Sequence, residues 1–436
     1  MKWADSILVM ISLAFCLTSC NSHKYLDKVA NNNATQEYQE FLSKSVINVP
    51  IYPLTKGPKH HWFAYYDKYQ TDPRDRYVLS MEVDFEKRSP GPEDYIKIGM
   101  VDLKRGGAWI ELDSTRAWNW QQGCMLQWRP GSEDEIMWND RQNGRFVCHI
   151  LNVKTRQKRT IPTAIYDVSP DGTFAMTLDF ERVQDMRAGY GYTGLKDSNT
   201  KDMAPDNAGI YRVSLDSGKK ELFMTIRDIA EIPNPVGDLS SKKHYFNHID
   251  VSPDGKRFIF LHRWKDPGKK STGGFEGTRF LTASVDGENV HVINDSPMTS
   301  HFWWKSPTQI IAWANRPEEG NHYYLFDDSA VRNYKILGEG ILKVDGHMSY
   351  LDGSDWIISD TYPDKNRQIE LFLFNTVTND KIVLGKFYSP EGYKGEHRID
   401  LHPRQTRDEK KIIIDCPIGP GGRQLLMLDI DDLELN

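Results

Sequence analysis

A six-residue phrase occurs twice in the chain, as Asp167-Val168-Ser169-Pro170-Asp171-Gly172 and as Asp250-Val251-Ser252-Pro253-Asp254-Gly255. Each copy runs straight into an apolar stretch, Thr173 to Leu178 and Arg257 to Leu261. The chemistry is that of a hairpin: Pro stops the first strand, Asp-Gly makes the turn, and the chain returns as the second strand. Looser copies follow at Thr71-Asp72-Pro73, Arg129-Pro130-Gly131, Ser306-Pro307, Leu351-Asp352-Gly353 and His402-Pro403-Arg404. Between them lie further hairpin strands, such as Met100-Val101-Asp102-Leu103 and Leu371-Phe372-Leu373-Phe374. Helical periodicity is nearly absent. Seven such repeats predict an all-β fold, a seven-bladed β-propeller, because a closed ring buries both faces of each small sheet and leaves few open edges. The spacing is even except from Ser169 to Ser252, a gap of 83 residues. A Gly- and Tyr-rich insert around 187–206 fills it, and a long insert in a compact repeat is either a functional loop or surface decoration. No eighth anchor is visible in the gap.

The N-terminus carries a second signal. Lys2 is followed by an apolar run from Ile7 to Leu17, too short to span a bilayer, ending in Leu17-Thr18-Ser19-Cys20. That resembles a bacterial lipobox with Cys20 as the lipidated residue. The expected organisation is a lipoprotein signal peptide at 1–19, a lipidated Cys and polar tether at 20–45, and the propeller at 46–436. The expected location is the periplasmic or cell-surface face of the outer membrane, with the membrane touched only through the lipid. Cys124, Cys148 and Cys416 remain; three thiols make no disulfide framework and are expected to be small buried residues. A net charge of -6 gives no footprint for nucleic acid. The 20 Tyr, 18 Phe and 12 Trp suit either a carbohydrate-binding face or the filling of sheet cores. A monomer is expected.

Propeller sites sit where the innermost strands begin. The corresponding residue of each repeat, read three before the apolar end of the inner strand, is Lys68, Met125, Ile165, His248, His301, His347 and Arg398. Imidazole or cation at five of seven places points to one shared cavity. Loops on the same face offer Arg141, His262, Arg263, Trp264, Trp303 and Tyr362 for substrate, and the entry to the first blade adds His61 and Tyr66. No nucleophile elbow, phosphate loop or dinucleotide fingerprint is present. Such a set suits β-elimination from a uronic-acid glycan, which needs a cation or metal on the carboxylate, a base for the adjacent proton and an acid for the leaving oxygen. Metal-assisted hydrolysis would use similar residues.

The repeat order and histidine placement resemble the oligogalacturonate lyase family of seven-bladed propellers. Tyr245-Phe246-Asn247-His248 looks like the segment bearing that family's proton abstractor, which would give His248 the role of base. Ser300-His301-Phe302-Trp303-Trp304 matches the blade start that supplies a manganese ligand, so the resemblance makes His301 a candidate ligand, and Gly346-His347-Met348-Ser349 matches the next blade. In the last blade the family keeps Gln, His and His as metal ligands, and this chain aligns Tyr393, Glu396 and Arg398 there. Glu396 can bind a metal and Arg398 cannot. The expectations are therefore one divalent metal, Mn or Ca, on His301 and Glu396, or Arg398 clamping the substrate carboxylate in its place. Ulvan lyases are similar in their metal-poor His/Tyr/Arg arrangement. The expected catalytic set is His248 as base, Arg398 as clamp and Tyr66 or His61 as acid, acting on a uronate-containing oligosaccharide.

Two other readings remain open from the sequence. One is a non-catalytic propeller that binds glycan or protein through exposed Trp. The other is a glycoside hydrolase using Glu396 with Asp360 or Asp84.

Overall fold

The computed structural model describes residues 25–267, 277–296, 298–329, 333–418 and 422–435. Cys20 lies outside them, and no helix among the described residues is long and apolar enough to cross a membrane. The chain forms seven small antiparallel sheets in a ring, a seven-bladed β-propeller. The inner strands of blades 1 to 7 are His60–Trp62, Gln127–Trp128, Asp167–Val168, Lys243–Val251, Thr299–Ser306, Ser349–Tyr350 and Arg404–Gln405. Each blade is built outward in chain order, except that Ile51–Pro53 supplies the outer strand of blade 7, pairing Ile51 with Leu428. The first strand of the ring thus completes the last blade, and Val46–Ile47 adds a fifth strand to blade 6.

The repeated phrase works as its chemistry requires. Ser169 Oγ donates to Asp171 at 2.6 Å and accepts from Phe174 N at 3.1 Å, while Gly172 takes φ 69°. A Cβ on Gly172 would fall 2.1 Å from the Pro130 carbonyl of blade 2, so neighbouring turns touch and only glycine fits. Ser252, Asp254 and Gly255 repeat the arrangement.

The seventh turn is not where the sequence placed it. His402-Pro403-Arg404 leads into the inner strand of blade 7, and the turn itself is Thr406-Arg407-Asp408-Glu409. Thr406 Oγ1 donates to Asp408 at 2.7 Å, Lys411 N donates to Thr406 Oγ1 at 3.1 Å, and Glu409 takes φ 59° in the glycine position. The phrase was hidden because Arg and Glu stand where the clear copies have Pro and Gly. A left-handed Glu is strained. Glu409→Gly is expected to stabilise the fold by about 0.5–1 kcal/mol, read from denaturant unfolding, after the added chain entropy of Gly is offset; a destabilised variant would refute the strain.

The stretch 20–45 is not a tether from Tyr25 onward. Residues 25–33 are helical, and a second helix covers Gln36–Ser43, capped by Thr35, which accepts from Tyr38 N. Leu26 and Val29 join the core of blade 1, while Tyr38 and Phe41 join that of blades 6 and 7. Asn33 Nδ2 donates to Leu54 O at 2.9 Å. These helices straddle the seam where the ring closes, burying the apolar residues that polar composition concealed. Short helices also cover Phe180–Met186 and Ile226–Ala230.

Trp62, Trp118, Trp120, Trp128 and Trp138 are fully buried, and no Trp is among the exposed large hydrophobics of the described residues. The indoles mainly fill cores. Cys124, Cys148 and Cys416 are free and buried, as expected.

Candidate functional site

One loop shapes the channel. The inner strand of blade 1 breaks after Trp62 and pairing resumes at Thr71. The intervening residues enter the ring and place Tyr66 at its centre. The Tyr66 ring lies 6.0 Å from His248, 6.0 Å from His301, 5.5 Å from His347 and 6.4 Å from His402. Its hydroxyl donates to Phe302 O at 2.9 Å.

The corrected seventh turn explains the fourth imidazole. His248 stands four residues before Ser252, and His402 stands four before Thr406. The repeat position therefore holds His in blades 4, 5, 6 and 7, with His402 and not Arg398 in the last. Met125, His248 and His402 occupy this position with φ of 55°, 54° and 42°. Side chains other than Gly rarely adopt that conformation, and the fold holds three of them in it.

Cross-links between blades fix these residues. At one position of the second strand, three after the residue that pairs with the inner strand's end, stand Asn139, Asp360 and Asp415. Asn139 Oδ1 accepts from Ile165 N of blade 3 at 2.8 Å. Asp415 accepts from Phe63 N at 3.1 Å and Ala64 N at 2.9 Å of blade 1. Asp360 accepts from His402 N at 3.1 Å and from His347 N at 2.7 Å, and its Oδ1 lies 2.9 Å from His347 Nδ1. Gly346 is needed for this approach, since a Cβ there would sit 1.8 Å from Asp360 O.

With Nδ1 of His347 held, its Nε2 faces outward toward Asp400 Oδ2 at 4.0 Å, and His402 Nε2 is 3.9 Å from the same oxygen. All three atoms are buried and take no hydrogen bond from the chain. They lie within 4.8 Å of one another, close enough to hold one metal ion between them. Burial holds His402 well below its ordinary pKa, hence a neutral imidazole, the form that ligates. Burial opposes a charge on His347, but Asp360 outweighs it and raises the group. A Nδ1-bound carboxylate behind a ligating His is the usual support of a metal ligand. The residues present thus fit a divalent metal, on a set the sequence reading did not assemble.

Arg398 borders this group: its Nε lies 2.6 Å from Asp400 Oδ2 and its Nη2 donates to Tyr190 OH at 2.8 Å. On the other side the Arg187 guanidinium sits 3.7 Å over the Tyr190 ring. Burial alone would raise the Tyr190 phenol, but the two guanidiniums outweigh it and bring it down to about 8. Tyr362 lies under the Arg398 guanidinium at 5.7 Å, and burial pushes its phenol well up.

The other sequence candidates divide. His301 is in the ring, with Nδ1 3.0 Å from Asp345 and its ring 4.1 Å from His347. His248 has both nitrogens facing the chain: Nδ1 is 3.3 Å from Tyr65 OH and Nε2 is 3.4 Å from Asp67. Burial lowers it to about 4, so it is neutral. Arg263 is buried behind the site, donating to Asn247 Oδ1 at 2.6 Å. Trp303 lies 6.3 Å from Tyr66 but faces the opposite end of the channel. His61 packs on Trp109 inside blade 1, with Nε2 3.5 Å from Glu82, and burial lowers it to about 3. His262 stacks on His244 at 5.0 Å within blade 4, and Trp264 covers that pair. Arg141 donates to Pro92 O at 2.5 Å on blade 2. Glu396 is held at the rim by Ser89 and is not among the metal-site atoms. His61 and His262 thus both turn into the packing of their own blades. Of the carboxylates considered for hydrolysis, Asp360 is engaged by His347 and His402, Glu396 bonds to Ser89, and Asp84 pairs with Lys59.

The sequence assigns no site role to Tyr190, Arg187, Asp400 or His402. The first two lie in the insert, whose Gly and Tyr content marked it without indicating which way its side chains turn. The last two needed the Thr406 turn.

No protein-family model and no curated protein matches this chain. Solved structures do. Oligogalacturonate lyase from Vibrio parahaemolyticus superposes with a TM-score of 0.60 at 12% identity, covering 89% of this chain and 96% of that one. An oligogalacturonate lyase in complex with manganese gives 0.61 at 12% identity, with 88% and 94% covered. This chain shares their fold. The β-propeller domain of the Trilobed protease from Pyrococcus furiosus also matches, with a TM-score of 0.47 at 10% identity. At these identities the likeness is one of architecture alone.

Proposed function

We propose that the protein is an eliminase acting on uronic-acid-containing oligosaccharides, working outside the cytoplasm and tethered through Cys20. The observation that carries this reading is the Tyr190 hydroxyl, which accepts from Arg398 Nη2 at 2.8 Å, with the Arg187 guanidinium 3.7 Å over its ring, beside the His347, Asp400 and His402 group. As phenolate, Tyr190 takes the proton next to the substrate carboxylate. The C–H electrons form the new double bond, the glycosidic C–O bond breaks, and the leaving oxygen takes a proton from Tyr362. The two guanidiniums oppose the charge that develops on the carboxylate. A divalent metal on His347 Nε2, Asp400 Oδ2 and His402 Nε2 would supply the same neutralisation as a Lewis acid. His248 acts from behind, keeping Tyr65 and Asp67 in place. The convergence of imidazoles in one place, with Trp buried in cores, favours this over a module that binds glycan through exposed indoles.

The direct test is ultraviolet absorbance of unsaturated uronate product on a panel of uronic-acid glycans, with and without Mn. No product from any glycan would refute the reading. Metal binding has its own test. Mn titration followed by electron paramagnetic resonance is expected to give one site per chain. Asp360→Asn, which loosens His347 and leaves the three ligands, is expected to weaken it about 10–100-fold. Unchanged affinity would mean that the metal, if bound, lies elsewhere.

A further inference from the structure

A second cavity opens between blades 4 and 5, away from the channel. It encloses about 440 Å³, within the range of small-molecule sites. It lies on the same face as the histidine end. The inner strand Thr299–Ser306 runs from His301 to the Ser306-Pro307 turn, which lines the opposite end of the channel, and the antiparallel strand Gln309–Arg316 returns. Arg316 and the turn after it form one wall of the cavity. The end of blade 4's outer strand, His291–Asn294, forms the other.

Both walls carry unmet hydrogen-bonding groups. Asn294 is only 1% exposed. Its Nδ2 donates to Thr299 Oγ1 at 3.0 Å and to Asn315 O at 3.3 Å. A backbone carbonyl only accepts, which fixes the amide nitrogen on that side. The oxygen Oδ1 is therefore turned the other way, and no described residue donates to it. Across the cavity, the Arg316 guanidinium is held 4.0 Å over the Tyr334 ring, and its buried Nε donates to no described residue. Buried polar atoms are rarely left without a partner. Here an acceptor and a donor border one space. Beside them lies apolar surface, Pro317 and Val236, and Val236 is exposed.

We infer that this cavity binds an uncharged sugar residue, a hydroxyl donating to Asn294 Oδ1, a second oxygen accepting from Arg316 Nε, and a C–H face resting on Val236 and Pro317. A hydroxyl both donates and accepts, which is what the two walls require. A uronate is the poorer fit, because Asp295, Glu318 and Glu319 border the cavity with one cation, Arg316. An ammonium is not called for: Glu319 already accepts from Tyr334 OH at 2.6 Å, and Asp295 has a partner of its own. The cavity would hold a neutral stretch of glycan on the face where the channel opens. It is separate from the histidine end and stands whether or not that end eliminates uronates.

Calorimetric titration of the full chain with cellobiose, lactose and maltose tests this. At least one of these neutral disaccharides is expected to bind saturably, with a dissociation constant on the order of 1 mM. Arg316→Met, which keeps the aliphatic bulk, and Asn294→Ala are each expected to weaken that binding about five- to tenfold. Asp400→Asn, at the histidine end, leaves it unchanged. Galacturonate and glucosamine, titrated alongside, are expected to show no binding that Arg316→Met reduces. Arg316 is partly exposed, so its variant carries the test if Asn294→Ala does not fold. No binding of any disaccharide, binding that survives Arg316→Met, or loss in Asp400→Asn alone would each overturn the inference. So would galacturonate or glucosamine binding that is tighter and sensitive to Arg316→Met. A chain that binds a disaccharide here yet yields no unsaturated product keeps this site and refutes only the elimination.

Discussion

Tyr190→Phe is expected to lower the elimination rate by about 10³-fold while leaving the fold intact, the loss associated with removing a positioned general base. The substitution deletes one oxygen. That oxygen accepts from Arg398 Nη2 and is the atom on which the two guanidiniums act. An ordinary phenol is almost wholly protonated at neutral pH, whereas one at about 8 is ionised in a useful fraction. The pH profile follows with a definite sign. Below that value the base is protonated and the rate falls as pH drops; above it the rate levels off. Arg187→Met removes one of the two cations, so the phenol moves up and the midpoint of the acid limb moves up with it. The tyrosinate difference spectrum of the two proteins reads the same shift without substrate. A Tyr190→Phe enzyme that keeps a tenth of its activity would remove Tyr190 from the chemistry, and so would a profile that ignores Arg187.

The blades were legible because Ser-Pro-Asp-Gly states a turn in local chemistry. The two clear copies, at Ser169 and Ser252, fixed the register from which His248 and His347 were found. Where the phrase decays the register is lost. Thr406-Arg407-Asp408-Glu409 keeps the hydroxyl and the carboxylate that make the turn's hydrogen bonds, but Glu409 adopts a glycine conformation that its side chain argues against. The error of four residues moved the reading from His402 to Arg398 and with it the whole metal set. Asp360 and Asp415 could not be read at all as ties between blades. Their partners, His402 N and Ala64 N, are 42 and 351 residues away, and no local pattern encodes such distances. The N-terminal helices escaped for another reason. Leu26, Val29, Tyr38 and Phe41 are few among polar neighbours, and only the seam they cover makes them core.

That seam is where the second large effect is expected, on stability. Arg404 is buried at the junction of blades 7 and 1. It donates to Asp415 at 2.9 Å, Gln70 Oε1 at 2.7 Å, Ala64 O at 2.8 Å and His402 O at 2.5 Å. Arg404→Met keeps much of the volume and removes every donor. Asp415 is left as a buried carboxylate with only two backbone amides, and three further acceptors lose their partner. Breaking a buried pair from one side costs about 3–5 kcal/mol, a large part of the 5–15 kcal/mol that holds a typical fold. Arg404→Lys is not expected to rescue it, because one ammonium cannot serve four acceptors spread around a planar guanidinium. The pH dependence separates this cause from a simple packing loss. Burial already raises the Asp415 carboxyl, and Arg404 counteracts that. Without the guanidinium the carboxyl rises further in the folded protein, so the fold gains protons that the unfolded chain lacks, and the deficit shrinks as pH falls toward mild acidity. Denaturant unfolding across pH measures both. A deficit that is small, or flat with pH, would show that the ring closes through its N-terminal strand and helices rather than through Arg404. A large deficit that shrinks in acid would mean that the guanidinium securing His402 from its carbonyl side also holds the two ends of the ring together.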